Sequence, residues 1–260
     1  MGAPSDPAAA GAALPFDLAP VTVVVGHYGA GKTTFALNLA LDAAAAGCAV
    51  TLADMDVVNP YFRSSEYAEL LEGRGVRLIA PVFARAGTSL DVPSLTGEVV
   101  PAIQAAYAWQ RASDGGERPA APRPVVIVDA GGDDVGATAL ARFAAALAAG
   151  PGEVLYVANA YRNLTRKAAE AVAVLREIEA RASVPVAAVV GNSHLQGETT
   201  VALVRDAVPF AQAVADGAGV PLRCVTVPKS AIQRESDGRG ALAGLPDVYP
   251  VEVYVSPPWS

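Results

Sequence analysis

Residues 26–34 read GHYGAGKTT, and their chemistry is that of an anion cradle. Gly26, Gly29 and Gly31 let successive backbone N–H groups turn inward, and the backbone of Ala30 and Thr34 belongs to the same cradle. Lys32 adds a point charge suited to the β and γ phosphates of a nucleotide, and the Thr33 hydroxyl is a hard oxygen ligand for Mg2+. The spacing from Gly26 to Thr33 is that of a phosphate-binding loop, which requires a strand before it and a helix N-terminus after it. His27 and Tyr28 fall at the loop tip, where they can face a partner or pack over bound phosphate.

Such a loop needs an acid for the metal shell. VVIVDAGGDD, residues 125–134, ends an apolar strand in Asp129, placed to hold a Mg2+-bound water. Gly132, three residues on, can offer its N–H to a γ phosphate and so sense it. Asp133 and Asp134 read as a solvated turn at least as readily as site residues. TLADMDVVNPYFRSSE, residues 51–66, carries Asp54 and Asp56 where the chain leaves a strand. Asp54 suits the outer shell of the metal. Asp56 suits the alignment of an attacking water with the γ phosphorus, which hydrolysis needs more than a strong base. The Asn59-Pro60 pair forces an extended turn. Arg63 reads chiefly as a surface ion-pair residue, with a phosphate contact as the alternative.

These groups need a scaffold that brings strand ends together. Short β-branched runs alternate with Ala/Leu-rich ones. Strands are expected at 21–25, 49–53, 76–80, 124–128, 154–158, 186–191 and 222–227, with an edge strand at 251–255. Helices are expected at 33–46, 164–181 and 199–217. The rhythm predicts an α/β, three-layer P-loop NTPase fold with a mostly parallel central sheet and helices on both faces. Residues 1–20, rich in Ala and Pro, read as a disordered segment, and 21–260 as a single nucleotide-binding domain. The polar stretch 113–123 reads as a surface loop.

Composition narrows the function. Hydrophobic residues are 52% and charged residues 17% of the 260, which suits a buried sheet with a thin polar surface. The net charge of -7 and a pI near 4.9 speak against nucleic acid and against acidic membrane faces as partners. Cys48 and Cys224 lack metal-ligand spacing and read as small buried hydrophobes. An iron–sulfur centre would need half its ligands from a second chain. There is no signal-peptide pattern and no long unbroken apolar run, so a cytoplasmic location is expected.

Together these motifs resemble the MinD/ParA/nitrogenase-iron-protein (SIMIBI-type) superfamily of P-loop ATPases. Asp54-Met55-Asp56 matches that family's first switch, and Asp129-Ala130-Gly131-Gly132 its strand-ending acid and glycine. The resemblance implies that Asn192, in VVGNSHL, lies against adenine. It implies too that Pro228, Lys229 and Gln233, in VPKSAIQRES, belong to a loop packing over the purine. GHYGAGKT, DMDVVNPYFRSSE and DAGGDDVGA are also similar to a bacterial group of ATP-binding proteins. The family's lysine after the first glycine, which reaches across a dimer, is replaced here by His27, an imidazole that cannot stand in for a long permanent cation. The cluster cysteines and the amphipathic membrane helix of some family members have no counterpart.

The implied cofactors are ATP and Mg2+. The implied activity is slow, partner-stimulated hydrolysis by a switch acting on a client protein, with a nucleotide-dependent homodimer as one arrangement. The client class suggested by the family is a metalloenzyme or redox complex under assembly. Three other readings compete. One is a small-molecule phosphotransferase with a lid in 81–123 bearing Arg85 and Arg111. Another is a positioning scaffold of the ParA kind. The last is a CobW-like GTPase metallochaperone, whose loop is similar but whose Cys-rich motif and guanine-reading Asn-Lys-x-Asp are missing here.

Overall fold

The structure is a computed structural model that describes residues 14, 16–55, 67–80, 93–116, 119–132, 134–162 and 165–254. Asp56, Asn59, Pro60, Arg63, Arg85, Asp133 and residues 1–13 lie outside these, as does the end of the chain from residue 255. Of Asp134 only the backbone is described.

The chain alternates strand and helix from the start. β1 (Val21–Val25) leads through the glycine loop into α1 (Lys32–Ala45), followed by β2 (Ala49–Asp54), α2 (Ala68–Gly73), β3 (Arg77–Ile79) and α3 (Pro93–Asp114). Next come β4 (Pro124–Asp129), α4 (Asp134–Ala141), α5 (Ala144–Leu147), β5 (Gly152–Ala158) and α6 (Ala168–Ala182). The chain closes with β6 (Ala188–Gly191), α7 (Val201–Ala218), β7 (Leu222–Pro228), α8 (Lys229–Gln233) and β8 (Val248–Val251).

The eight strands make one sheet in the order β3-β2-β4-β1-β5-β6-β7-β8, and every pairing is parallel. The expected parallel character therefore extends even to the edge strand. That strand begins at Val248, earlier than expected, and takes Pro250 at the sheet margin, where a missing N–H is tolerated.

Both faces of the sheet are covered, giving a three-layer α/β fold. Val21, Val23, Val25, Val126, Val128 and Tyr156 pack with α3, α4, α5, α6 and α7. Val24, Val125, Ile127, Leu155 and Leu52 pack with α1 and Leu71 of α2. Strands buried on both faces explain why VTVVV and PVVIV are almost continuously apolar.

Two boundaries differ from the sequence reading. Leu18 is buried and Leu14 and Phe16 pack beside it, so the packed chain starts before residue 21. The region read as a lid is largely α3, whose Val99, Ile103, Ala106 and Tyr107 are buried in the core. A helix that buries four side chains against the sheet is a fixed layer; Arg111 sits in its last turn, on the exposed side.

The C-terminal strand secures α1. Asn38, 2% exposed, donates to Thr34 O at 2.8 Å and Glu252 O at 2.9 Å, and accepts from Glu252 N at 2.8 Å. Tyr249 donates to Asp42 Oδ2 at 2.7 Å and meets the Phe35 ring edge-on at 6.0 Å. The helix that follows the glycine loop is thus bolted to the far edge of the sheet through polar groups with no slack. Asn38→Ala strands the Glu252 backbone N–H and carbonyl, and the expected cost is about 2 kcal/mol in urea unfolding. A loss below about 0.5 kcal/mol would mean that water replaces the amide without penalty.

Candidate nucleotide-binding site

The C-terminal ends of β1, β2, β4, β5, β6 and β7 meet at one edge of the sheet, where a parallel α/β fold places its ligands. The glycine loop leaves β1 there. Gly31 takes a left-handed conformation, φ 92° and ψ 24°, and turns the chain into α1. No side chain caps α1 and no acid lies in its first turn. Its leading N–H groups and dipole therefore face the loop, the provision a helix makes for an anion. The long helix α7, by contrast, is capped: Thr200 Oγ1 accepts from Leu203 N at 3.2 Å.

Lys32 is buried, 7% exposed, and its Nζ donates to His27 O at 3.3 Å. The amine is thereby folded back over the loop interior. Gly132 closes over this point. A β-carbon at Gly132 would stand 2.6 Å from Lys32 Nζ and 2.7 Å from Tyr28 N, so only glycine fits. The structure thus brings Lys32, the loop tip and Gly132 together.

The acids converge as well. Asp54 and Asp129 end adjacent strands in direct register and are 1% and 2% exposed. Alternation places both on the side of Leu52 and Ile127, the face covered by α1. Thr33 stands in the first turn of that helix. A hydroxyl and two buried carboxylates form a hard oxygen set that fits Mg2+, which takes one or two carboxylates and completes its shell with phosphate and water. No group of three or more His, Cys, Asp or Glu among the described residues could hold a metal ion. Asp56 and Arg63 lie outside the described residues.

Asn192, ending β6, is buried and grips the loop. Its Nδ2 donates to Ala30 O at 2.7 Å, and its Oδ1 accepts from Thr226 Oγ1 of β7 at 2.5 Å. Thr226 was not singled out by the sequence reading. Pro228 is buried at the end of β7 beside Val251, while Lys229 opens α8 and pairs with Glu252 at 3.6 Å. Gln233 is exposed at the end of α8. Leu195, 39% exposed, follows Asn192-Ser193-His194, and its N–H is held by Thr199 Oγ1 at 2.8 Å.

At the tip, His27 Nδ1 lies 3.1 Å from Tyr28 O, and Tyr28 is 58% exposed. The cysteines are free thiols, and burial raises Cys224 to about 12, which removes it from reactive chemistry.

No family model matches the chain, and no curated protein matches it. Solved structures similar to it include the signal recognition particle 54 kDa protein from Aeropyrum pernix in complex with GDP. That likeness has a TM-score of 0.48 at 19% identity, over 82% of this chain and 42% of the other. FtsY from Mycoplasma mycoides is similar at a TM-score of 0.47 and 16% identity, over 79% of this chain and 58% of that one. Chloroplast FtsY from Physcomitrella patens is similar at 0.49 and 21%, over 81% and 58%. The chain spans about half the length of these structures. No helix among the described residues is long and apolar enough to cross a membrane.

His194 adjoins the loop, and burial, with the Arg162 charge beside it, lowers its pKa to about 4. The unfolded chain takes up this proton near pH 6.5, whereas the folded chain excludes it until about pH 4. The stability contributed by a neutral His194 is therefore complete above pH 6.5 and is lost as pH falls toward 4. Wild-type protein is expected to lose roughly 2 kcal/mol more than His194→Gln between pH 7 and pH 4.5, read by urea unfolding. Parallel pH profiles would show that the imidazole is already charged in the fold.

Proposed function

We propose that this protein is a Mg·ATP-binding P-loop ATPase of the SIMIBI type, working as a nucleotide-dependent switch on a partner protein. The observation that carries this reading is the packing of Gly132 against Lys32 and Tyr28. A γ phosphate entering the cradle must engage Lys32 and displace or hydrogen-bond the Gly132 backbone, so its presence is passed to the segment beyond Asp129.

Within that reading Lys32 holds the β and γ phosphates, and the N–H groups of Gly26, Gly29, Ala30, Gly31, Thr33 and Thr34 surround them. Thr33, Asp54 and Asp129 would hold Mg2+, which would supply charge neutralisation to the phosphates. Asp56 aligns the attacking water. Asn192 retains one amide hydrogen and one carbonyl lone pair beyond its two bonds, a match for adenine N7 and N6. Pro228 and Lys229 flank the base. ATP is favoured over GTP because Asn192-Ser193-His194-Leu195 presents an apolar side chain where a guanine reader has an acid. With His27 in place of a lysine that crosses a dimer, turnover by the protein alone is slow and a partner stimulates it. The client class suggested by the family resemblance is a metalloenzyme or redox complex under assembly. The burial of α3 as a layer of the core weighs against a kinase lid in that region.

Calorimetric titration with Mg·ATP, Mg·ADP and Mg·GTP, followed by light scattering of each complex, tests the reading. Tight ATP binding is expected, and a doubling of mass would identify the nucleotide-dependent homodimer. Preference for GTP would replace it with the metallochaperone reading. Lys32→Ala is expected to weaken ATP and ADP by about 100-fold. Because a β-carbon there meets Lys32 and the Tyr28 backbone, Gly132→Ala is expected to weaken both nucleotides, ATP at least tenfold more than ADP. Equal losses for both nucleotides in Gly132→Ala would remove γ-phosphate sensing from the mechanism.

A further inference from the structure

Arg162 has no part in the roles assigned so far, and its setting is unusual. It lies in the turn after β5, next to the phosphate loop. A β-carbon on Gly29 would stand 3.4 Å from Arg162 Nε and 3.5 Å from Cζ, so the guanidinium lies close beside the loop at Gly29. Its Nε is buried and has no hydrogen-bond partner among the described residues. A buried guanidinium N–H without an acceptor is destabilising, and an anionic ligand set against it removes that cost.

The turn that carries Arg162 is held firmly. Ala160 N donates to Ser193 Oγ at 3.0 Å, Tyr161 N to Asn159 Oδ1 at 3.0 Å, and Tyr161 OH to Leu203 O at 2.9 Å. Thr165 N returns to Arg162 O at 3.2 Å. These bonds tie the turn to the β6 loop and to α7, so the cation's backbone is set before any ligand arrives. Beside it His194 is kept neutral by burial, which leaves Arg162 as the charged member of the pair.

Position along the loop indicates what this cation meets. Gly132 and Lys32 mark the γ end at Tyr28. Asn192 and His194 crowd Gly31 at the other side, and Arg162 stands at Gly29 on that side. We propose that Arg162 is a second fixed cation of the site, binding the α/β-phosphate portion of a nucleoside di- or triphosphate. This rests on the nucleotide reading above and adds to it a residue and a location. A planar guanidinium offers paired N–H donors to phosphate oxygens, which an ammonium does not.

The test is calorimetry of full-length wild type, Arg162→Ala and Arg162→Lys with Mg·ADP and Mg·ATP, with urea unfolding of each protein without nucleotide. Arg162→Ala is expected to raise both dissociation constants by about 10-fold, with the ATP/ADP ratio held within about twofold. Arg162→Lys should recover part of the loss, and the nucleotide-free unfolding midpoints should stay close to wild type. Unchanged affinity for both nucleotides in Arg162→Ala overturns the proposal. A loss confined to ATP also overturns it, because it would place the guanidinium at the γ end. Wild type that binds neither nucleotide is a different result, and it removes the nucleotide reading along with this one.

Discussion

The bond from Asn192 Nδ2 to Ala30 O is the constraint on which the site depends. A glycine-rich loop is entropically costly to hold in one shape. Here its carbonyl is gripped by a buried side chain that Thr226 orients in turn, so the loop is joined to β6 and β7 as well as to its own strand. The Asn192 N–H donates to Ala158 O at 2.8 Å, and the grip is thereby referred to β5 too. Four strands share the task of shaping one loop, and this is possible because all of them run parallel and end at the same edge.

The body of α1 is governed by a separate set of contacts. Asn38, Asp42 and Phe35 attach it to the segment from Tyr249 to Glu252. Tyr67, where the described chain resumes after residue 66, donates to Tyr254 O at 2.8 Å, and their rings meet edge-on. Lys229 pairs with Glu252 in the same segment. A short stretch after β8 is thus common to the phosphate-loop helix, to the chain emerging from the first acidic segment, and to the loop after β7. Movement at one of these would be felt at the others through packed groups rather than across solvent.

Much of this was legible in the sequence, for definite reasons. Strands buried on both faces leave uninterrupted β-branched runs, so VTVVV and PVVIV located the sheet, and the loop motif pointed to the edge where its strands end. α3 carries Pro93, Gly97 and Pro101, which weaken a helical pattern, while the spacing of Val99, Ile103, Ala106 and Tyr107 is helical and their burial decides the outcome. Asn192 attracted notice through the resemblance, but its contact with Ala30 is a tertiary fact that no local pattern encodes. Arg162 escaped for a similar reason. The signal available was Asn159, a polar residue ending an apolar strand as Asn192 does, which marks a second turn at the same edge.

Charge explains why these parts belong together. Asp54 and Asp129 are buried side by side within reach of the cradle, in a chain whose net charge is already -7. Alone they would repel a polyphosphate. Lys32 and the α1 terminus offset part of that repulsion, Arg162 adds a permanent charge at the loop, and His194 adds none because burial keeps it neutral. In the proposed reading a phosphate chain would arrive as its divalent-metal complex, with the acids toward the metal and the fixed cations toward the remaining oxygens. His27 and Tyr28 stand outside this balance. The His27 carbonyl receives Lys32, the exposed Tyr28 ring lies at the tip, and neither contributes a permanent charge to the phosphate site.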